Sequence, residues 1–64
     1  MSGESREDIS VGSTVDIILK ENQGTGILTR GVVMRILTKG NYHPHGIKVM
    51  LEDDQVGRVK MIVK

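Results

Sequence analysis

Apolar residues in this chain recur at every second position, the period of a strand with one buried face. The clearest run is Gly46 to Leu51, where Ile47, Val49 and Leu51 alternate with Lys48 and Met50. An acidic turn follows at residues 52 to 54, and Val56, Val59 and Met61 mark a second strand, so the pair reads as a hairpin. Parity selects its turn. If odd-numbered residues face inward on both strands, facing partners sum to an even number, which demands a loop of odd length. A two-residue Asp53-Asp54 turn is thereby excluded in favour of a three-residue loop, Glu52 to Asp54, with Asp54 in the left-handed conformation. This register sets Ile47 against Val59 inside, and Lys48 against Arg58 and Met50 against Val56 outside.

Upstream, Val11-Gly12-Ser13 reads as a turn leading into a first strand, Thr14 to Lys20, in which Val15, Ile17 and Leu19 alternate with Asp16, Ile18 and Lys20. The polar stretch ENQGTG, residues 21 to 26, is expected to be a mobile hairpin loop. It is no phosphate cradle, because neither Lys-Ser nor Lys-Thr follows the glycines and no helix begins there. Ile27 to Thr38 is rich in β-branched residues, and the shift of apolar phase between Val33 and Ile36, after Gly31, predicts a bulge near Met34 and Arg35 that bends the strand. Lys39 to His45 is a connecting loop in which Pro44 forces His43 into an extended conformation. Val59 to Val63 closes the sheet as a strand or a short helical turn. Residues 1 to 8 are polar and aperiodic and are expected to form a disordered tail, leaving residues 9 to 64 as one domain.

Four to five short antiparallel strands, tight turns and no amphipathic helix predict an all-β protein, a small SH3-like barrel that hides its own edges. The oligonucleotide-binding fold fits less well, since its five longer strands strain a chain of 64 residues. A chain this short buries only about 60% of its unfolded surface, which leaves no room for a deep catalytic cleft. With no cysteine there is neither a disulfide framework nor a thiolate zinc site, and a reducing cytoplasm is the expected setting. No apolar run approaches the ~20 residues of a membrane span, and the start SGESRED is no signal peptide. The net charge of +1 is uneven: residues 1 to 8 carry Glu4, Glu7 and Asp8 against Arg6, so the rest of the chain is mildly basic. Tyr42 is the one aromatic residue, which removes the stacking platforms of most single-strand binders.

The segments RGVVMRILT (residues 30 to 38) and HPHGIKVMLEDDQVGRVK (residues 43 to 60), with Gln23, Thr25 and Gly26 before them, resemble the YwbE-like family of small uncharacterised proteins. The resemblance covers nearly everything after residue 8 and implies a compact β-barrel without implying an activity. Asp54 departs from it, standing where such sequences usually have glycine. A looser likeness, the spacing Gly31-x-Val33-x-x-Ile36, runs to the KOW-type SH3-like barrels of translation and transcription proteins and raises the expectation of RNA or ribosome contact by analogy.

Lys48 directly opposite Arg58 is a like-charge pair that an anion relieves. With Arg30, Arg35, Lys39, His43, His45 and Lys60 nearby, it is the expected nucleic-acid-binding patch, neutralising phosphates without reading bases. His43 and His45 lack third and fourth ligands beyond Asp53 and Asp54, so no metal and no cofactor is assigned. No serine or cysteine has a visible base partner, so the chain is read as a binding module rather than an enzyme. The alternative is a protein-interaction or self-association module using an outward apolar strip of Ile18, Met34, Met50 and Val56.

Overall fold

The computed structural model describes residues 3 to 64. Four antiparallel strands, β1 (Thr14–Leu19), β2 (Thr29–Ile36), β3 (Lys48–Leu51) and β4 (Val56–Ile62), close into a barrel in the order β1-β2-β3-β4, with β4 returning to pair with β1. The protein is thus an all-β, SH3-like barrel. Its core is Ile9, Val15, Ile17, Val33, Ile47, Val49, Leu51 and Val59, with Leu19, Ile36 and Ile62 packed against it. No helix among the described residues is long and apolar enough to cross a membrane.

The β3–β4 hairpin has the register that parity demands. Lys48 faces Arg58, Val49 faces Gly57 and Met50 faces Val56, while the Val59 N–H donates to the Ile47 carbonyl at 2.9 Å. Residues 52 to 54 form the loop: the Asp54 N–H donates to the Leu51 carbonyl, the Leu51 N–H donates to the Gln55 carbonyl, and Asp54 sits at φ 71°. The Asp53 carboxylate holds this turn by accepting from both the backbone and the side-chain amide of Gln55. A left-handed aspartate retains part of the Cβ penalty that glycine avoids. Asp54→Gly is therefore expected to stabilise the protein by about 0.5 kcal/mol, a rise in melting temperature of about 2–4 °C. Circular-dichroism melts check it, and an equal or lower melting temperature counts against this turn geometry.

The β2 bulge falls where the phase shift indicated, between Val33, which faces Leu51, and Arg35, which faces Met50. The strand itself is shorter than the β-branched run, because pairing with β1 begins only at Thr29 opposite Ile17 and leaves Ile27 and Leu28 exposed. The loop before it is organised by a 3-10 turn at Lys20–Asn22 and by the Asn22 carbonyl, which accepts from the N–H groups of Thr25 and Gly26.

Two expectations change. In β4, pairing with β1 runs Ile18–Arg58 and Ile17–Val59 and then resumes at Asp16–Met61, so Lys60 is an extra, bulged residue. The bulge reverses the strand's parity: Met61 turns outward and Ile62 takes the core-facing place. The expected tail is instead docked on the barrel from Gly3 onward; residues 1 and 2 lie outside the described residues. Gly3 is buried against Val59 and its carbonyl accepts the Ile47 N–H, the Glu4 carbonyl accepts the His43 N–H, and Ser5 bridges to Tyr42. Backbone hydrogen bonding, to which side-chain pattern is blind, docks this polar segment.

Candidate nucleic-acid interface

The site starts from one row of residues across three strands. Ile18 on β1, Arg58 on β4 and Lys48 on β3 are successive cross-strand neighbours on the outer face. Arg58 is half-buried, and its Nη1 donates to the Gly46 carbonyl at 3.1 Å, which ties β4 to the turn that precedes β3. That turn is His43-Pro44-His45-Gly46, closed by the Gly46 N–H donating to the His43 carbonyl at 3.0 Å, with proline at its second position as such turns favour. Gly46 is required twice over. Its φ is +100°, and a Cβ there would run into the Val59 carbonyl.

The turn fixes the histidines. His43 Nδ1 accepts the His45 backbone N–H at 3.1 Å, and the two rings lie 5.7 Å apart at 48°. Accepting at Nδ1 places the His43 proton on Nε2, so the neutral ring keeps one outward donor. Burial, and then the positive charges of Arg58 and His45, hold this imidazole below its ordinary value, favouring that neutral form.

These pieces line one groove. Its first part, about 360 Å³, is bounded by Ile18, Gln23, His43, His45, Arg58 and Lys60. A second part of about 360 Å³ shares Ile18, Gln23 and Arg58 with it and adds Lys20, Lys48, Val56 and Gly57. Among the described residues, none that lines either part is acidic. Lys60 lies two residues after Arg58 on β4, on the opposite face from the buried Val59 between them, and lines this wall.

Of the residues expected in the patch, His43, His45, Lys48, Arg58 and Lys60 come together here. Arg30 does not join them. It faces Asp16 across β1 and β2, and its Nε and Nη2 donate to the two carboxylate oxygens at 2.9 and 3.1 Å. Arg35 is exposed opposite Met50, and Lys39 is exposed in the β2–β3 connection; neither lines the groove. Of the apolar strip, Ile18 and Val56 lie in the groove, Met50 pairs with Val56, and all three are half-buried, while Met34 is exposed at the β2 bulge. Lys20 and Gln23 are the lining residues that pattern reasoning missed. Lys20 stands at the end of the alternating run and falls in the 3-10 turn after β1, whereas Gln23 belongs to an aperiodic loop and only its place in the family resemblance marked it out. No group of three His, Cys, Asp or Glu side chains suited to a metal ion occurs among the described residues.

Asp16 is the one buried charged residue of the described barrel. Hydrogen bonds from Arg30 hold its carboxyl below the usual carboxylate range, outweighing the opposite pull of burial, and the Arg30 charge adds to them. A carboxylate depressed in the folded state contributes stability above its ordinary pKa and loses it as pH falls through the folded value. Urea midpoints are therefore expected to fall below about pH 4. Asp16→Asn is expected to show a smaller acid-induced loss; a variant with the parent's full loss contradicts this assignment.

The comparisons with known proteins bear on the whole barrel. The family described as "Uncharacterized conserved protein (DUF2196)" matches residues 2–62. The chain is 60% identical over 63 residues to "Uncharacterized protein YwbE" of Bacillus subtilis (strain 168), covering 98% of this chain and 97% of that relative. No solved structure matches it. The matched stretch takes in every strand and every residue of the groove, and on that basis the chain belongs to the DUF2196 family of YwbE-like proteins.

Proposed function

We propose that this protein is a small, non-catalytic RNA-binding module that grips the phosphate backbone along the groove between β4, the 43–46 turn and the β1–β2 loop. The observation that carries the reading is the groove's lining: Lys20, Lys48, Arg58 and Lys60 with two histidines and, among the described residues, no acid. Lys48 and Arg58 repel each other across the strand pair until an anion lies between them. With Tyr42 as its one aromatic residue, the protein offers no stacking platform, so contact is to phosphate and sequence discrimination is weak. The KOW-like spacing in β2 supports RNA over other polyanions by analogy alone, and a chain without cysteine suits the reducing cytoplasm where RNA is found.

Fluorescence anisotropy with a labelled single-stranded RNA at several salt concentrations tests it. Three phosphates neutralised by Lys48, Arg58 and Lys60 predict that log affinity falls against log salt with a slope of about −2. Absence of binding at low salt, or affinity indifferent to salt, removes the reading.

A further inference from the structure

We propose that the part of the groove between the 43–46 turn and Lys60 is a receptor for a phosphate monoester, the terminal phosphate of an RNA strand or of a free mononucleotide. The inference rests on the RNA reading of the groove and adds where on the strand the tightest contact is made.

Donors converge here from three separate segments: His43 and His45 from the turn, Arg58 and Lys60 from β4, and Gln23 from the β1–β2 loop. The half-open space they line, about 360 Å³, is at the small end of ligand pockets and suits a compact head group. An internal phosphodiester brings one charge and two free oxygens. A monoester brings about −1.5 to −2 at neutral pH and three strong acceptor oxygens. The site's supply matches the second. Arg58 spends one N–H on the Gly46 carbonyl and keeps the rest of its fork, His43 keeps its Nε2–H, and Lys60 and the Gln23 amide add further donors.

The donors are also held in place before any ligand arrives. The Gly46 carbonyl fixes the guanidinium, whose planar fork fits phosphate oxygens in pairs. His43 is fixed through its ring by the His45 N–H and through its own N–H by the Glu4 carbonyl. Ile18 supplies an apolar wall for the sugar, and no Phe, Tyr or Trp lines the pocket to hold a base.

The test compares three otherwise identical short RNA strands, carrying a 5′-monophosphate, a 3′-monophosphate or hydroxyls at both ends, together with adenosine 5′-monophosphate and adenosine. At least one phosphate-ended strand is expected to bind about tenfold or more tightly than the hydroxyl-ended strand. Lys60→Ala is expected to bring that ratio close to unity, whereas Arg35→Ala, outside the groove, leaves it unchanged. Adenosine 5′-monophosphate moving the Gln23, His43 and Lys60 amide resonances, with adenosine silent, assigns recognition to the phosphate alone; a preference confined to the strands assigns it to the strand end. Equal affinity for all three strands overturns this inference and leaves the RNA reading standing. Binding of none overturns both.

Discussion

Gly46→Ala is expected to lower the melting temperature by more than about 12 °C, the equivalent of 3 kcal/mol or more in a domain of this size. Two costs combine at this position. The φ of +100° is unfavourable for any residue with a Cβ, and the Cβ itself meets the Val59 carbonyl, part of a core strand that cannot yield without opening the barrel. Gly12 separates the two costs, because it has nearly the same φ, +97°, but nothing within 4 Å of its Cβ position. Gly12→Ala is therefore expected to cost only about 1–2 kcal/mol. Equal losses in the two variants, read from thermal melts, would show that the turn does not press against β4. The consequence is functional as well, since the Gly46 carbonyl is the anchor of Arg58.

Arg58→Gln is expected to weaken RNA binding by about tenfold to a hundredfold while leaving the fold in place. Glutamine keeps a neutral amide donor on β4 but loses the charge and the planar fork. The salt slope is expected to drop in magnitude by about 0.7, the share of one phosphate contact. Arg30→Gln serves as the contrast. The Arg30 guanidinium is engaged by Asp16, so its loss is expected to reduce stability and to leave the salt slope unchanged. Anisotropy titrations of both variants decide the matter, and an unaltered slope for Arg58→Gln would remove Arg58 from the interface.

What the sequence made legible, and what it did not, follows from which forces leave a periodic trace. The β3–β4 register, the left-handed Asp54 and the outward Lys48–Arg58 pair all follow from alternation plus parity, because one residue of slip would have exposed Ile47, Val49 and Leu51 together. The β2 bulge was visible as a break in that alternation. The β4 bulge was not, because Val59, Met61, Ile62 and Val63 offer apolar side chains on both parities and either phase looks acceptable. Arg30 was misplaced because its partner depends on the β1–β2 register, and the aperiodic loop joining those strands leaves that register open. Docking of Gly3 to Ser5, and the turn that folds His43 and His45 onto Arg58, rest on backbone hydrogen bonds that no hydrophobic pattern encodes. Of the groove's polar lining, Lys48, Arg58, Lys60, His43 and His45 are named from the sequence, whereas Lys20 and Gln23 are not.

The central claim is that one groove gathers residues far apart in sequence into a single anion-binding surface, and mapping amide shifts during titration with a single-stranded RNA at low salt tests it most directly. Perturbations are expected to cluster on Ile18, Gln23, His43, His45, Lys48, Arg58 and Lys60 and to fade together as salt is raised. Shifts that fall instead on Arg30, Arg35 and Lys39, with the groove residues unmoved, would contradict it.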